Sequence, residues 1–372
     1  MPIRVLIVED SLIAMTILTR ILASSPEIEV AGTARTGKEA LELISEVKPD
    51  VICTDLHMPQ MDGLEFTKEV MIRYPRPILV ISASVQQQED SSNVFQLLEA
   101  GAVDVFPKPP GGSAGDYEAI KRALISKIKI LSGVKVFTRH SRRNQETKQE
   151  QKPKEKSTST CQKIIESPPR KIIRNRSLRL PANTQFKMIV VGASTGGPQA
   201  LKTLLTGLQN HLNLPVICVQ HISEGFLQSL VDWLGSSCHL PVQIARPGEL
   251  PQPGKVYFAP EQLHLELDNI GRFIYAATVR VDGHRPSVTV TFKSVAKLYG
   301  KRTIGILLTG MGKDGAAGME DIAKVGGLTI AQDEASSVVF GMPKAAIALN
   351  AAQYILPIDA IAPHLLQKVI LR

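Results

Sequence analysis

Over the first third of the chain, short apolar runs rich in β-branched residues alternate with longer stretches whose apolar positions recur at helical spacing. The runs are residues 5–8, 29–31, 51–53, 78–81 and 103–106. The intervening pattern predicts helices at 12–23, 38–47, 64–74, 92–100 and 117–131. Strands alternating with helices require crossover connections, so the expected product is a five-stranded parallel sheet covered on both faces. A second series begins near Phe186, with runs at 188–192, 216–220, 242–245, 256–259, 304–309 and 328–331. It predicts a second α/β unit. Residues 263–292 change to period-two alternation, broken by Asp268-Asn269 and Asp282-Gly283, and predict antiparallel hairpins set into an otherwise parallel sheet.

Between the two series apolar residues are too sparse to bury a core, and Lys, Arg, Gln, Ser, Thr and Pro dominate. The expected organisation is therefore a domain at 1–133, a basic flexible linker at 134–185 and a second domain at 186–372. The formal net charge of +8 changes meaning once it is located. From 134 to 187 there are 15 Lys and Arg against 4 Asp and Glu, leaving 28 against 31 elsewhere. The folded parts are slightly acidic, and the basic tract has no aromatic between Phe137 and Phe186, which argues against a nucleic-acid partner. Cys53, Cys161, Cys218 and Cys238 are scattered without metal-ligand spacing, as expected of reduced thiols. No run approaches the ~20 apolar residues of a membrane span, and the start lacks signal-peptide order, so a cytoplasmic protein without membrane insertion is expected.

In open parallel sheets ligands collect beyond the carboxyl ends of the strands. The first domain should bring together there Glu9 and Asp10, Asp55, Ser82 and Lys108. Converging carboxylates repel one another unless a hard cation joins them, and an all-oxygen set suits magnesium. A carboxylate in that position can attack a phosphoryl donor. Asp55 is the expected nucleophile, with the Lys108 ammonium and the Ser82 hydroxyl pairing with the added oxygens.

In the second domain the first strand runs into Gly192-Ala193-Ser194-Thr195-Gly196-Gly197-Pro198 before a helix. Glycines there allow a sharp turn and a close approach by a ligand. Alone this loop is ambiguous between a serine site and a nucleotide loop, although it does not follow the dinucleotide fingerprint. Two later strands end in His221 and in Gly310-Met311-Gly312-Lys313-Asp314-Gly315. Ser194, His221 and Asp314 can serve as nucleophile, base and orienting carboxylate. Each also has a plain structural alternative: a turn serine, a polar strand terminus, a helix cap.

Glu9-Asp10, the segment from Asp55 to Gly63, Ser82-Ala83 and Lys108-Pro109 resemble the response-regulator receiver family over about 1–125. The resemblance implies Asp55 as phosphoacceptor, Glu9, Asp10 and Asp55 as magnesium ligands, Ser82 and Lys108 as switch residues, and a histidine kinase as phosphodonor. It departs from many receivers in placing Val105 where an aromatic switch residue is common, with Phe106 next to it. From about 186 to 366 the Ser-Thr-Gly-Gly turn, the Gln-His strand end and the Leu-Thr-Gly-Met-Gly-Lys-Asp-Gly loop resemble the catalytic domain of chemotaxis-type protein-glutamate methylesterases. Phe258-Ala259-Pro260 with His264, and the segment from Asp282 to Ser287, match further.

This second resemblance implies hydrolysis of glutamate γ-methyl esters on the cytoplasmic methylation helices of chemoreceptors, with methanol released and no cofactor in the catalytic domain. Glutamine deamidation is possible by the same acyl chemistry. It further implies oxyanion donors at the backbone of Met311 and of His221, Thr195 orienting His221, and His284 and Arg285 in a substrate groove. The receiver is expected to inhibit until Asp55 is phosphorylated. The alternative from another class is a receiver joined to a non-catalytic α/β binding module.

Overall fold

The structure, a computed structural model, describes residues 1–82, 88–109, 114–134, 136, 173–174, 185–208 and 213–367. The N-terminal half contains β1 (Ile3–Val8), α1 (Leu12–Ala23), β2 (Ile28–Ala34), α2 (Gly37–Val47), β3 (Val51–Thr54), α3 (Gly63–Arg73), β4 (Ile78–Ser82), α4 (Gln88–Ala100), β5 (Asp104–Pro107) and α5 (Ala114–Leu131). Its five strands are all parallel, in the order β2-β1-β3-β4-β5. Helices begin where short polar side chains can satisfy their free N–H groups: Ser11, Thr36 and Asp62 accept from Ala14, Glu39 and Glu65. The central strands β3 and β4 are buried along their whole length, as expected of a sheet with helices on both faces.

The C-terminal half contains β6 (Ile173–Arg174), β7 (Met188–Ala193), α6 (Gly197–Leu208), β8 (Val216–Gln220), α7 (Leu227–Cys238), β9 (Val242–Ile244) and β10 (Val256–Phe258). There follow β11 (His264–Leu267), β12 (Phe273–Ala276), α8 (Val288–Tyr299), β13 (Thr303–Leu307), α9 (Ala316–Lys324), β14 (Leu328–Gln332), α10 (Met342–Ala348), β15 (Tyr354–Leu356) and α11 (Ile358–Leu365). The large sheet runs β6-β15-β14-β13-β7-β8-β10-β9 and is parallel except for β6, which pairs antiparallel with β15. Thus Ile173–Arg174 add an edge strand from within the basic tract, most of which lies outside the described residues.

Along β7, Ile189 and Val191 face a core shared with α6, α7 and α11. Met188 and Val190 face a second core with α8, α9 and α10. Strand order reverses at β7, whose neighbours β8 and β13 lie on opposite sides, and a crevice is expected beyond the carboxyl ends of those three strands.

The period-two stretch behaves differently from its expectation. The hairpin is real, with β11 antiparallel to β12 around the Asp268 turn, but it forms its own two-stranded sheet outside the main one. At Asp282-Gly283 only a single bridge, Val281 with His284, is made. Beyond it, Val-Thr-Val-Thr-Phe forms the start of α8 and not a strand. Two features override the β-branched composition. Ser287 caps the helix, and Val288, Thr289, Thr291, Phe292, Val295 and Ala296 are buried at helical spacing.

The two halves pack together through α4 against α6 and α7. Phe95 stacks on Trp233 at 5.2 Å with 22° between the planes. The Trp233 indole N–H donates to Glu99 at 3.1 Å, and Lys202 pairs with the same carboxylate while standing 5.1 Å from the indole centroid. The Gln199 amide donates to the Leu98 and Ala102 carbonyls at 3.1 and 3.0 Å, so the end of α4 is held by backbone as well as by side chains.

Candidate functional sites

At the N-terminal sheet, β1 delivers Glu9 and Asp10, and β3 delivers Asp55. Carboxylate oxygens of all three lie within 4.8 Å of one another. Lys108, after β5, donates to Asp55 at 2.6 Å and to Glu9 at 3.0 Å. Burial disfavours the Lys108 charge, but hydrogen bonding and attraction from Asp55 and Glu9 prevail and raise its pKa. Burial, with repulsion from Asp55, raises the pKa of Glu9. Its second oxygen is buried without a hydrogen-bond partner. An orphaned carboxylate oxygen among three clustered acids is what a hard divalent cation would satisfy, so the residues present fit magnesium. Ser82 is buried at the end of β4, and its carbonyl accepts from the Lys108 backbone at 2.7 Å.

At the C-terminal sheet the register pairs Ala193 with Gln220, so the next residues, Ser194 and His221, leave adjacent strand ends side by side. Ser194 is held by its backbone: its N–H donates to Thr309 at 3.0 Å, and its carbonyl accepts from the Gln220 amide at 2.8 Å. Gly196 takes a φ of +77° at the turn, a conformation that glycine adopts without a steric cost.

His221 Nε2 lies 2.9 Å from Asp314 Oδ2, whereas the buried Nδ1 has no hydrogen-bond partner. Since the ionised Asp314 only accepts, Nε2 donates to it, and in the neutral ring the lone pair falls on Nδ1. No hydrogen bond joins this imidazole to Ser194 in the state described.

Asp314 is almost fully buried and lies at the amino end of α8. It accepts from the Ser287 hydroxyl at 2.8 Å, from Val288 N–H at 2.8 Å and from Thr289 N–H at 2.9 Å, besides His221. Burial opposes its charge, yet the His221 contact and the helix N–H groups outweigh burial and hold its carboxyl well below the usual range. The carboxylate therefore both caps a helix and orients an imidazole. Sequence reasoning had treated those two roles as alternatives.

The remaining expectations divide. Met311 stands in the tight loop after β13 with an exposed side chain. The His221 backbone N–H is engaged by the Ala193 carbonyl at 2.9 Å, which places it in the sheet ladder and not in an oxyanion pocket. Thr195 is buried, and its carbonyl accepts from the Thr309 hydroxyl at 2.9 Å, but no hydrogen bond connects it to His221. His284 and Arg285 line a cavity with Gln220, His221, Pro260 and Arg280.

Thr289 and Val338 carry no mark in the sequence, and Ser287 and Gln220 appear there only within motifs, without a role. Ser287 carried a usable signal, a capping residue ahead of an apolar period, hidden by the β-branched run. Val338 is a bridge: a Cβ on Gly196 would come within 2.6 Å of it, while Val338 itself packs on the N-terminal core cluster that contains Phe106.

A receiver-type acidic pocket on one sheet and an Asp-His pair beside a turn serine on the other define a class: a hydrolase-type site under a phosphorylation-type input. Comparison with known proteins agrees. Residues 189–365 match the family described as CheB methylesterase, and residues 5–114 match the response regulator receiver domain. A protein-glutamate methylesterase/protein-glutamine glutaminase from Nitrosospira multiformis is 40% identical over 98% of this chain and 96% of its own. One of the same description from Syntrophus aciditrophicus is 39% identical over 97% and 96%. The crystal structure of the Thermotoga maritima CheB methylesterase catalytic domain is 39% identical, covering 50% of this chain and 100% of that one, with a TM-score of 0.48. The chain belongs to the CheB protein-glutamate methylesterase family.

Proposed function

We propose that this protein removes methyl groups from glutamate γ-methyl esters of chemoreceptor methylation helices, and that phosphorylation of Asp55 regulates the activity. The observation that carries the chemistry is the His221 ring, with Nε2 committed to the Asp314 carboxylate and Nδ1 buried without a hydrogen-bond partner, on the strand end adjacent to that of Ser194.

Ser194 Oγ attacks the ester carbonyl carbon as its proton passes to His221 Nδ1. Asp314 balances the resulting imidazolium, and the backbone N–H of Met311 donates to the developing oxyanion. Collapse of the tetrahedral adduct breaks the carbon–methoxy bond, and the His221 proton leaves with the alkoxide as methanol. Water, deprotonated by the same imidazole, then cleaves the acyl-serine to restore the glutamate carboxylate. With a glutamine substrate the leaving group is ammonia and the steps are otherwise the same, in keeping with the second activity in the relatives' names.

In the receiver, Glu9, Asp10 and Asp55 would hold magnesium, which supplies charge neutralisation for an incoming phosphoryl group. Asp55 accepts that group from a histidine kinase, and the Asp55–Lys108 contact must then rearrange. Ser82 and Lys108 are the residues placed to pair with the new oxygens. Loosening of the α4 contact with α6 and α7, and of the Val338 bridge to the serine turn, is the route by which the pocket reaches the esterase site. Among the described residues no helix is long and apolar enough to cross a membrane.

Methanol release from methyl-labelled receptor tests this reading. It should vanish in Ser194→Ala, and should rise with a small phosphodonor and magnesium only while Asp55 is intact. Release that persists in Ser194→Ala would overturn the assignment.

A further inference from the structure

The imidazole of His284 lies face to face with that of His221, with centroids 3.7 Å apart and 5° between the planes. The family resemblance puts this residue in a substrate groove, and the Ser-His-Asp assignment gives it no part in holding the base. The segment carrying it is anchored firmly. Asp282 pairs with Lys313 of the Asp314 loop at 3.3 Å, tying the two loops together. Arg285 donates to the Thr278 carbonyl at 3.2 Å. The fully buried His264 accepts from Ser287 N–H at 3.1 Å through Nδ1, so its Nε2 carries the proton and donates to the Val279 carbonyl at 3.0 Å. One histidine thus clamps both ends of the segment that presents another.

His221 needs such support. Its ring makes one hydrogen bond, at Nε2, and a single in-plane contact leaves the ring free to tilt about it. A tilt moves Nδ1, the atom that must meet the serine hydroxyl. We propose that His284 is a positioning residue for the catalytic imidazole, its flat ring fixing the plane of His221 and excluding water from one face. The inference rests on the Ser194–His221 reading above.

The charge state suits the role. The charged groups around His284 are His221, Asp314, Asp282 and Arg280, with Arg285 adjacent in sequence. Burial, followed by the proximity of His221, lowers its pKa to about 4, so at neutral pH it is an uncharged π surface. When His221 takes the serine proton, an uncharged ring attracts the new cation, whereas a protonated one would repel it.

The test uses full-length protein treated with a small phosphodonor and magnesium, comparing His284→Ala and His284→Phe with the parent. One readout is methanol release; the other is the rate at which a fluorophosphonate labels Ser194, which needs the nucleophile and its base but no receptor. Since misplacing a base can cost up to a hundredfold, His284→Ala should lower kcat and labelling by about ten- to a hundredfold with little change in KM. His284→Phe, which restores a flat ring, should recover most of both. Equal losses in the two variants, an effect confined to KM, or no loss in His284→Ala would each overturn the proposal. A parent that labels but releases no methanol would refute the ester substrate alone, with the labelling rates still deciding the role of His284. A parent that does neither removes the base assignment and this inference with it.

Discussion

Replacing Asp314 by asparagine separates the two tasks of that side chain. The carboxylate accepts from Ser287 and Thr289 on one oxygen and from Val288 and His221 on the other. An amide has one accepting end, so in either orientation one buried backbone N–H of α8 faces an N–H₂ group. Stranding one such donor costs about 1–3 kcal/mol of folding stability. The catalytic loss depends on orientation. With the amide oxygen toward His221, the tautomer survives and only the counter-charge disappears; a charged partner exceeds a neutral one by about 1–2 kcal/mol, or roughly tenfold in rate. With the amide nitrogen toward His221, the proton moves to Nδ1 and the base assigned to Ser194 is lost, a loss of order 10⁴. Methanol-release kinetics reads the orientation, and urea melts read the stranded donor.

The pH dependence supplies an independent check. The folded-state pKa of Asp314 is depressed, so its contribution to stability is complete above the unfolded value of about 3.9 and is lost as pH falls through the folded one. The stability gap between parent and Asp314→Asn should therefore narrow in acid. Catalysis within threefold of the parent, with an unchanged gap across pH, would refute the dual role.

Phe95→Ala removes a fully buried ring from the contact between the two halves without touching either site. Truncations of this kind cost about 3–5 kcal/mol, enough to raise methanol release in the absence of phosphodonor toward the stimulated level; unchanged basal release would argue against this contact as the restraint. Gly310→Ala would set a Cβ 2.7 Å from that of Ser194 and 2.4 Å from Met342 Sδ. We expect a thermal midpoint lower by several degrees, from about 1–3 kcal/mol of overpacking, with slower fluorophosphonate labelling of Ser194, and parental values for both would contradict the described packing.

The elements that were legible in advance are those whose periodicity and caps agree. Residues 12–23 read as α1 to the residue because an amphipathic period starts after Ser11. Residues 216–220 read as β8 because the apolar run is β-branched and ends at a polar pair. Residues 288–292 failed because alternating Val and Thr satisfies a strand template locally, and the burial that decides for helix comes from β7 and α9, far away in sequence. The same limit applies at the sites. Ser194, His221 and Asp314 are marked by strand ends and glycines. The partners that set their geometry, Ser287, Thr289 and His284, lie on a segment whose approach only the tertiary fold determines.

The apolar cluster that joins the halves carries one more implication. Phe95 and Trp233 belong to the same buried cluster as the cores beneath α3 and α6, so separating the halves transfers aromatic surface into water. Such transfer carries a positive heat-capacity change, and its free-energy cost shrinks on cooling. A contact held this way grips less tightly in the cold, independently of any phosphoryl group. If this contact is the restraint on the esterase, basal methanol release is expected to gain on the phosphodonor-stimulated rate as the temperature falls.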